Sequence, residues 1–249
     1  MLGFEDVGAA DLTRWSHSMI AGMANFSDDP AVWERLDTAQ GERTEVLDEL
    51  VPFYRERPNA SLTSAWANSG PPLDAVHTNV KLTISGGLNE PQHMVSTMVW
   101  ALSDRPAQRE LLAAEPERWR DAFDEAIRLV SPIGAYTRET TRPTTLEGVD
   151  LPAGATVSVT VAAANHDPGV FQRADEFDVT RPRVSHLGFG SGVHLCAGHW
   201  AARIAIGETA VPLLYRELPG LRTDTTRPLE WYGWVFRGLT TLPVTWDAA

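Results

Sequence analysis

Leu12, Trp15, Met19 and Met23 recur at spacings of three and four residues, the pattern of a single buried helical stripe. Much of the chain from residue 9 to about residue 102 keeps that period. Asp28-Asp29-Pro30 supplies a cap and a first turn, which predicts a charged helix running towards Pro58. Asn68-Ser-Gly-Pro-Pro72 breaks the pattern, and a long helical stretch follows from Leu73 to Leu102, interrupted at Gly86, Gly87 and Pro91. Pro106 and Pro116 mark the starts of two further helices, the second reaching Val130. From Tyr136 the period shortens. Leu151-Pro-Ala-Gly154 reads as a turn, and the alternating, β-branched run Ala155-Thr-Val-Ser-Val-Thr-Val161 predicts a strand. An irregular stretch from Asn165 to about Leu195 precedes a predicted helix over Cys196–Leu218, and the segment from Trp231 to Trp246 reads as a short hairpin. The expectation is a mainly α protein with minor β, built as one body over residues 1–249.

Composition narrows the partners. The formal net charge is −12, which argues against nucleic acid, whose binders carry a basic stripe, and against an anionic membrane. No apolar run approaches the ~20 residues needed to span a bilayer, and the first residues do not form a secretion signal. One cysteine excludes an internal disulfide. These features predict a cytoplasmic protein.

That cysteine sits in the most informative segment, His186-Leu-Gly-Phe-Gly-Ser-Gly-Val-His-Leu-Cys-Ala-Gly198. Three glycines within five residues let a backbone turn tightly and direct amide groups inward. A cysteine at a helix start is favoured as thiolate by the free N–H groups and the helix dipole. A buried structural cysteine is the simplest alternative. A zinc site using His194, Cys196 and His199 is another, although structural zinc ordinarily takes a fourth ligand. Glu125 and Arg128 stand three apart on a predicted helix, on one face, where a surface ion pair is the ordinary reading. In the long helix, Pro91 lacks an N–H, so the Gly87 carbonyl loses its partner and the two glycines form a notch; a helix starting afresh with Asn89 as cap reads equally well.

Phe189, Gly192, Cys196 and Gly198 fall in the F-x-x-G-x-x-x-C-x-G order of the cytochrome P-450 haem loop, and Glu125-Ala-Ile-Arg128 matches that family's E-x-x-R pair. The chain therefore resembles the C-terminal part of the cytochrome P-450 fold, in a bacterial branch marked by the Gly86-Gly-Leu-Asn-Glu-Pro91 string. The resemblance implies haem b, with Cys196 as axial iron ligand and with Arg138, His186 and His194 on the haem propionates. It implies that Arg181 meets Glu125 and Arg128 as a structural brace, and that Gly86, Gly87, Asn89 and Glu90 shape the oxygen site. Most relatives carry an acid followed by threonine there; Asn89-Glu90 replaces that pair, and Glu90 is the candidate to carry protons instead. The implied activity is a monooxygenase that inserts one oxygen of O2 into a small apolar or aromatic substrate, with aromatic ether O-dealkylation among the branch's reactions. Electrons would come from a ferredoxin- or reductase-type donor. The resemblance covers nearly the whole chain, whereas the first strands and several early helices of a complete member have no counterpart here. The rival expectations are a truncated, catalytically inactive haem-fold protein and a Cys/His zinc protein.

Overall fold

The computed structural model describes residues 1–247. The chain divides into two compact units, Met1–Glu90 and Pro91–Ala249.

The first unit is helical: α1 (Ala9–Met23), α2 (Pro30–Glu56), α3 (Leu62–Asn68) and the part of α4 (Leu73–Ser103) that ends at Glu90. Asp29 caps α2 as its sequence predicts: its carboxylate accepts the Ala31 N–H at 2.9 Å, and Pro30 occupies the first turn, where no N–H is needed. Ser61 caps α3 in the same way, so residues after Pro58 start a separate helix. The buried face of α1 differs from the expected stripe. Trp15 is buried, but its companions are Ser16, Ile20 and Gly22, and Met23 is exposed. Two specific contacts turn the helix this way. The Ser16 hydroxyl donates to the Ser85 carbonyl at 3.1 Å, and Gly22 lies so close to the Leu36 side chain that a Cβ there would collide with it. The core gathers Trp15, Ala39, Leu47, Val51, Tyr54, Val76, Val80 and Ile84.

The second unit takes α4 from Pro91, then α5 (Pro106–Ala114), a 3-10 turn (Pro116–Arg118), α6 (Trp119–Leu129) and a single turn of helix, α7 (Val161–Ala164). After the cysteine come α8 (His199–Ala202), a π-helical stretch (Arg203–Ala210) and α9 (Val211–Glu217). The strands form antiparallel pairs: β1 (Tyr136–Glu139) with β4 (Thr156–Val159), and β2 (Thr144–Leu146) with β3 (Val149–Leu151). The expected strand thus ends at Val159, because the chain turns into α7 at Val161. The tail hairpin is also redistributed. β6 (Glu230–Tyr232) pairs with β7 (Gly238–Thr241), while β8 (Val244–Thr245) returns to β5 (Arg222–Thr223). The core of this unit packs Phe123, Ile127, Met98, Leu102, Phe177 and Ile206 around α6.

α4 is continuous helix through Gly86, Gly87 and Pro91, so no new helix begins at Asn89. Among the described residues no helix is long and apolar enough to cross a membrane.

Candidate functional site

The cysteine loop is built from its glycines. Gly188 touches α6: a Cβ there would lie 3.0 Å from Ile127 Cγ1 and 3.1 Å from the Ile127 carbonyl. Gly190 and Gly192 have φ of +71° and +64°, values that a side chain would strain. The loop closes when the Cys196 N–H donates to the Phe189 carbonyl at 2.9 Å, with Gly190 N–H to Leu187 carbonyl at 2.9 Å inside it. Cys196 is exposed and free. Beside it stand two apolar side chains left to solvent, Val193 at 97% and Leu195 at 49% exposure. The space that a side chain at Gly198 would enter is bounded only by the Cys196 sulfur, at 3.8 Å. The expected helix does not start at Cys196. Ala197 and Gly198 form a turn first, and α8 begins at His199, because Gly198 is its cap. The sulfur therefore precedes the helix by three residues.

Two adjacent carboxylates on α6 hold this region from behind. Glu125 receives Arg128 in a two-pronged bond, Nε to Oε2 at 2.8 Å and Nη2 to Oε1 at 2.9 Å. Arg181 adds its Nε at 2.9 and 3.1 Å to the two oxygens. The remaining guanidinium donors reach backbone carbonyls of the irregular stretch: Arg128 those of Asn165, Ala174 and Glu176, and Arg181 those of Gln172, Arg173 and Glu176. Exposure of the Arg128 and Glu125 side chains is 2% and 5%, so this is a buried pair and not a surface one. The loop is irregular because side chains satisfy its carbonyls where a ladder would otherwise do so.

Asp124, the second carboxylate, was not singled out by its sequence. It accepts from Arg203 Nε at 2.9 and 3.1 Å, and His186 Nε2 lies 3.5 Å away. Burial works against its charge, but the hydrogen bonds from His186 and Arg203 outweigh that and hold its carboxyl below the usual range. Arg203 lies 4.6 Å over the Phe189 ring and bonds His199 Nδ1 at 2.8 Å. Asn165 is a further anchor that the sequence did not mark. Buried at the start of the irregular stretch, it donates to the Ser131 hydroxyl and accepts the Leu187 N–H at 2.8 Å. Both residues are ordinary polar types in unremarkable sequence, and their roles come entirely from partners 22 to 79 residues away.

Of the expected propionate ligands, two lie at the surface. Arg138 on β1 is exposed, 5.5 Å over the Tyr136 ring, and His194 is exposed in the 3-10 turn Gly192–His194. His186 is different in its surroundings. Its side chain is 9% exposed, its Nδ1 accepts the Gly188 N–H at 3.1 Å and its Nε2 faces Asp124, so both ring nitrogens are engaged. The zinc alternative finds no support either: among the described residues no cluster of three His, Cys, Asp or Glu is placed to hold a metal, and His199 is taken by Arg203.

In the first unit, α4 carries an unusual polar stretch. Asn89 is buried, and its side-chain N–H2 has no partner; nor has Glu90 Oε2, which also lies away from solvent. Gly86, one turn back, is exposed, and a Cβ there would stand 4.0 Å from that oxygen. Burial pushes the Glu90 carboxyl up to about 7, against weaker lowering by backbone N–H and by the nearby Asn89 amide.

The family model for cytochrome P-450 matches residues 119–211, from the start of α6 to the start of α9. The chain is 30% identical to a cytochrome P-450 of Bacillus subtilis (strain 168), over 98% of this chain and 60% of that protein. It is 31% identical to the mycinamicin IV hydroxylase/epoxidase of Micromonospora griseorubida, over 99% of this chain and 62% of the relative. In structure it is similar to CalO2, with a TM-score of 0.87 at 27% identity, covering 98% of this chain and 63% of that one. The chain thus spans about 60% of the length of the curated relatives it matches. On this evidence it belongs to the cytochrome P-450 superfamily.

Proposed function

We propose that this chain is the haem-thiolate portion of a monooxygenase, with Cys196 as the iron's axial ligand. The observation that carries the reading is the placement of the only cysteine: exposed and free, at the end of a clamped loop, among solvent-facing apolar side chains. A flat apolar macrocycle suits such a face, since it would cover Val193 and Leu195 and remove their surface from water. The donor set suits it too, because haem iron accepts a cysteine thiolate as proximal ligand. When bound, a thiolate-ligated haem iron supplies activation of O2 for insertion of one oxygen atom into a C–H or ether-bearing substrate. Arg138 and His194, both exposed cations or potential cations, would meet the haem propionates. His186, at the start of the loop, would be the third, with its Nδ1 held by the Gly188 N–H and its Nε2 3.5 Å from Asp124. The substrate would be small and apolar or aromatic, aromatic ethers included, and electrons would come from a ferredoxin- or reductase-type donor.

Glu90 is the group we assign to protons. A carboxyl near 7 is close to half-protonated at neutral pH, so it can both give and take a proton. Its Oε2 and the Asn89 amide beside it have no partner, and Gly86 and Gly87 bring no side chain to that stretch of α4. The Gly87 carbonyl, deprived of a helical partner by Pro91, adds an acceptor there. This arrangement stands where an acid–threonine pair is usual.

Two experiments follow. Turnover under heavy-oxygen O2, with a ferredoxin, its reductase and reductant and a small aryl ether, should place one labelled atom in the aldehyde released, trapped before it exchanges with solvent, and the other in water, with the phenol unlabelled. Stoichiometric haem binding without any labelled product would instead favour an inactive haem-fold protein. Glu90→Gln should divert reductant to peroxide, and it should also change stability with a defined sign. The folded carboxyl at about 7 lies above its ordinary 4.5, so protonation favours the fold. That stabilisation is complete below pH 4.5 and is lost as pH rises through 7. The neutral amide cannot ionise, so at pH 8 the variant should be more stable than the parent by ~3 kcal/mol, with little difference at pH 4. Identical urea midpoints at pH 8 would remove Glu90 from the buried-carboxyl role.

A further inference from the structure

We infer that Asp124 is a positioning residue for the cysteine ligand, fixing both ends of the loop that carries Cys196 to one point on α6. This rests on Cys196 being the axial ligand, as proposed above. The two ends are separate in sequence and meet at this carboxylate. His186 opens the loop and reaches Asp124 Oδ1 at 3.5 Å, while Arg203, seven residues beyond the cysteine, reaches both oxygens at 2.9 and 3.1 Å.

The link continues to the ligand. The Arg203 guanidinium lies 4.6 Å over the Phe189 ring, and its Nη1 holds His199 Nδ1 at 2.8 Å. The Phe189 carbonyl is the acceptor that fixes the Cys196 N–H at 2.9 Å. The Phe189 ring also stands 6.0 Å from His186 and 6.1 Å from Phe123, so it is held between the loop, the helix after the cysteine and α6. Asp124 therefore sets the place of Phe189 through Arg203, and Phe189 sets the backbone of Cys196. Glu125, the next residue, takes its partners from a different stretch, the Asp178 N–H and the Arg181 guanidinium, together with Arg128. One turn of α6 thus divides the work: Glu125 holds the irregular segment and Asp124 holds the ligand loop.

A purely structural carboxylate would loosen α6 and the loop together when removed; a positioning carboxylate would loosen the loop first. Amide hydrogen exchange in the 249-residue chain, with no haem present, separates the two. Asp124→Asn should speed exchange at Gly190, Leu195 and Cys196 by about tenfold or more, as expected when charge-assisted bonds at a local opening are lost. The Val130 amide, bonded to the Ala126 carbonyl at the end of α6, should keep its rate. Asp124→Glu should restore much of the loop's protection. Asp121→Asn, which removes only the exposed pair with Arg183, should change none of these rates. If Asp124→Asn does not fold, Arg203→Gln opens the same bridge and should give the same pattern. After haem loading, the reduced carbon monoxide complex of Asp124→Asn should lose its thiolate-type band severalfold faster than the parent's. Unchanged loop exchange, or equal acceleration of the loop and Val130, would overturn the inference. A loop that loosens as expected in a chain whose parent form never gives a thiolate band would leave the clamp standing and overturn its role toward a ligand.

Discussion

Glu125→Ala is expected to cost the chain about 3–5 kcal/mol of folding stability, the range for breaking a buried ion pair from one side. The expectation comes from what the substitution strands. Arg128 and Arg181 both place Nε on this carboxylate, within 3.1 Å, and the Asp178 N–H donates to it at 3.1 Å as well. Without it, the buried Arg128 guanidinium loses its carboxylate and, with the largely buried one of Arg181, is left to neutral backbone carbonyls. Because domains are stable by only ~5–15 kcal/mol, such a loss should leave a substantial unfolded fraction at 37 °C. The contrast is Asp121→Ala. Its partner Arg183 is 78% exposed, and pairs of that kind are worth at most ~1 kcal/mol. Urea unfolding of the two variants side by side decides the matter. If Glu125→Ala lost no more than Asp121→Ala, the triad would be an ordinary surface pair in energetic terms. Arg128→Met and Arg181→Met should also couple strongly in a double-mutant cycle, since they share one acceptor.

Local signals in the sequence were reliable where the chemistry is local. Asp29-Pro30 opens α2 because cap and first turn are neighbours in sequence, and the glycines of the cysteine loop mark a tight backbone whatever surrounds it. The E-x-x-R spacing placed Glu125 and Arg128 on one face, and Arg181 joins them as the resemblance implies. What the sequence left open depends on distant partners. Whether α1 buries Met23 or Ser16 is decided by Ser85 and Leu36, not by the stripe itself. Nothing in the sequence marks Asp124, far away along the chain, as the carboxylate that faces His186 Nε2. The tail reads as one hairpin because β-branched and aromatic residues fill it, while β8 finds β5 instead of its nearest neighbour in sequence. A polar residue such as Asp124 or Asn165 carries no pattern at all until its partners are folded onto it.

The central claim is that Cys196 would ligate iron through its sulfur, and reduction of the haem-loaded chain under carbon monoxide tests it most directly. A thiolate pushes electron density onto the iron, and the reduced carbon monoxide complex then absorbs in a strongly red-shifted Soret band. The loop supports such a ligand: the sulfur is exposed and free, its backbone N–H is fixed to Phe189, and no other cysteine exists to substitute for it. The parent chain should give the red-shifted band, and Cys196→Ala should abolish it completely, with haem either lost or moved to the shorter-wavelength band of a nitrogen ligand. A parent chain that shows only the nitrogen-ligand band, unchanged in Cys196→Ala, would contradict the account.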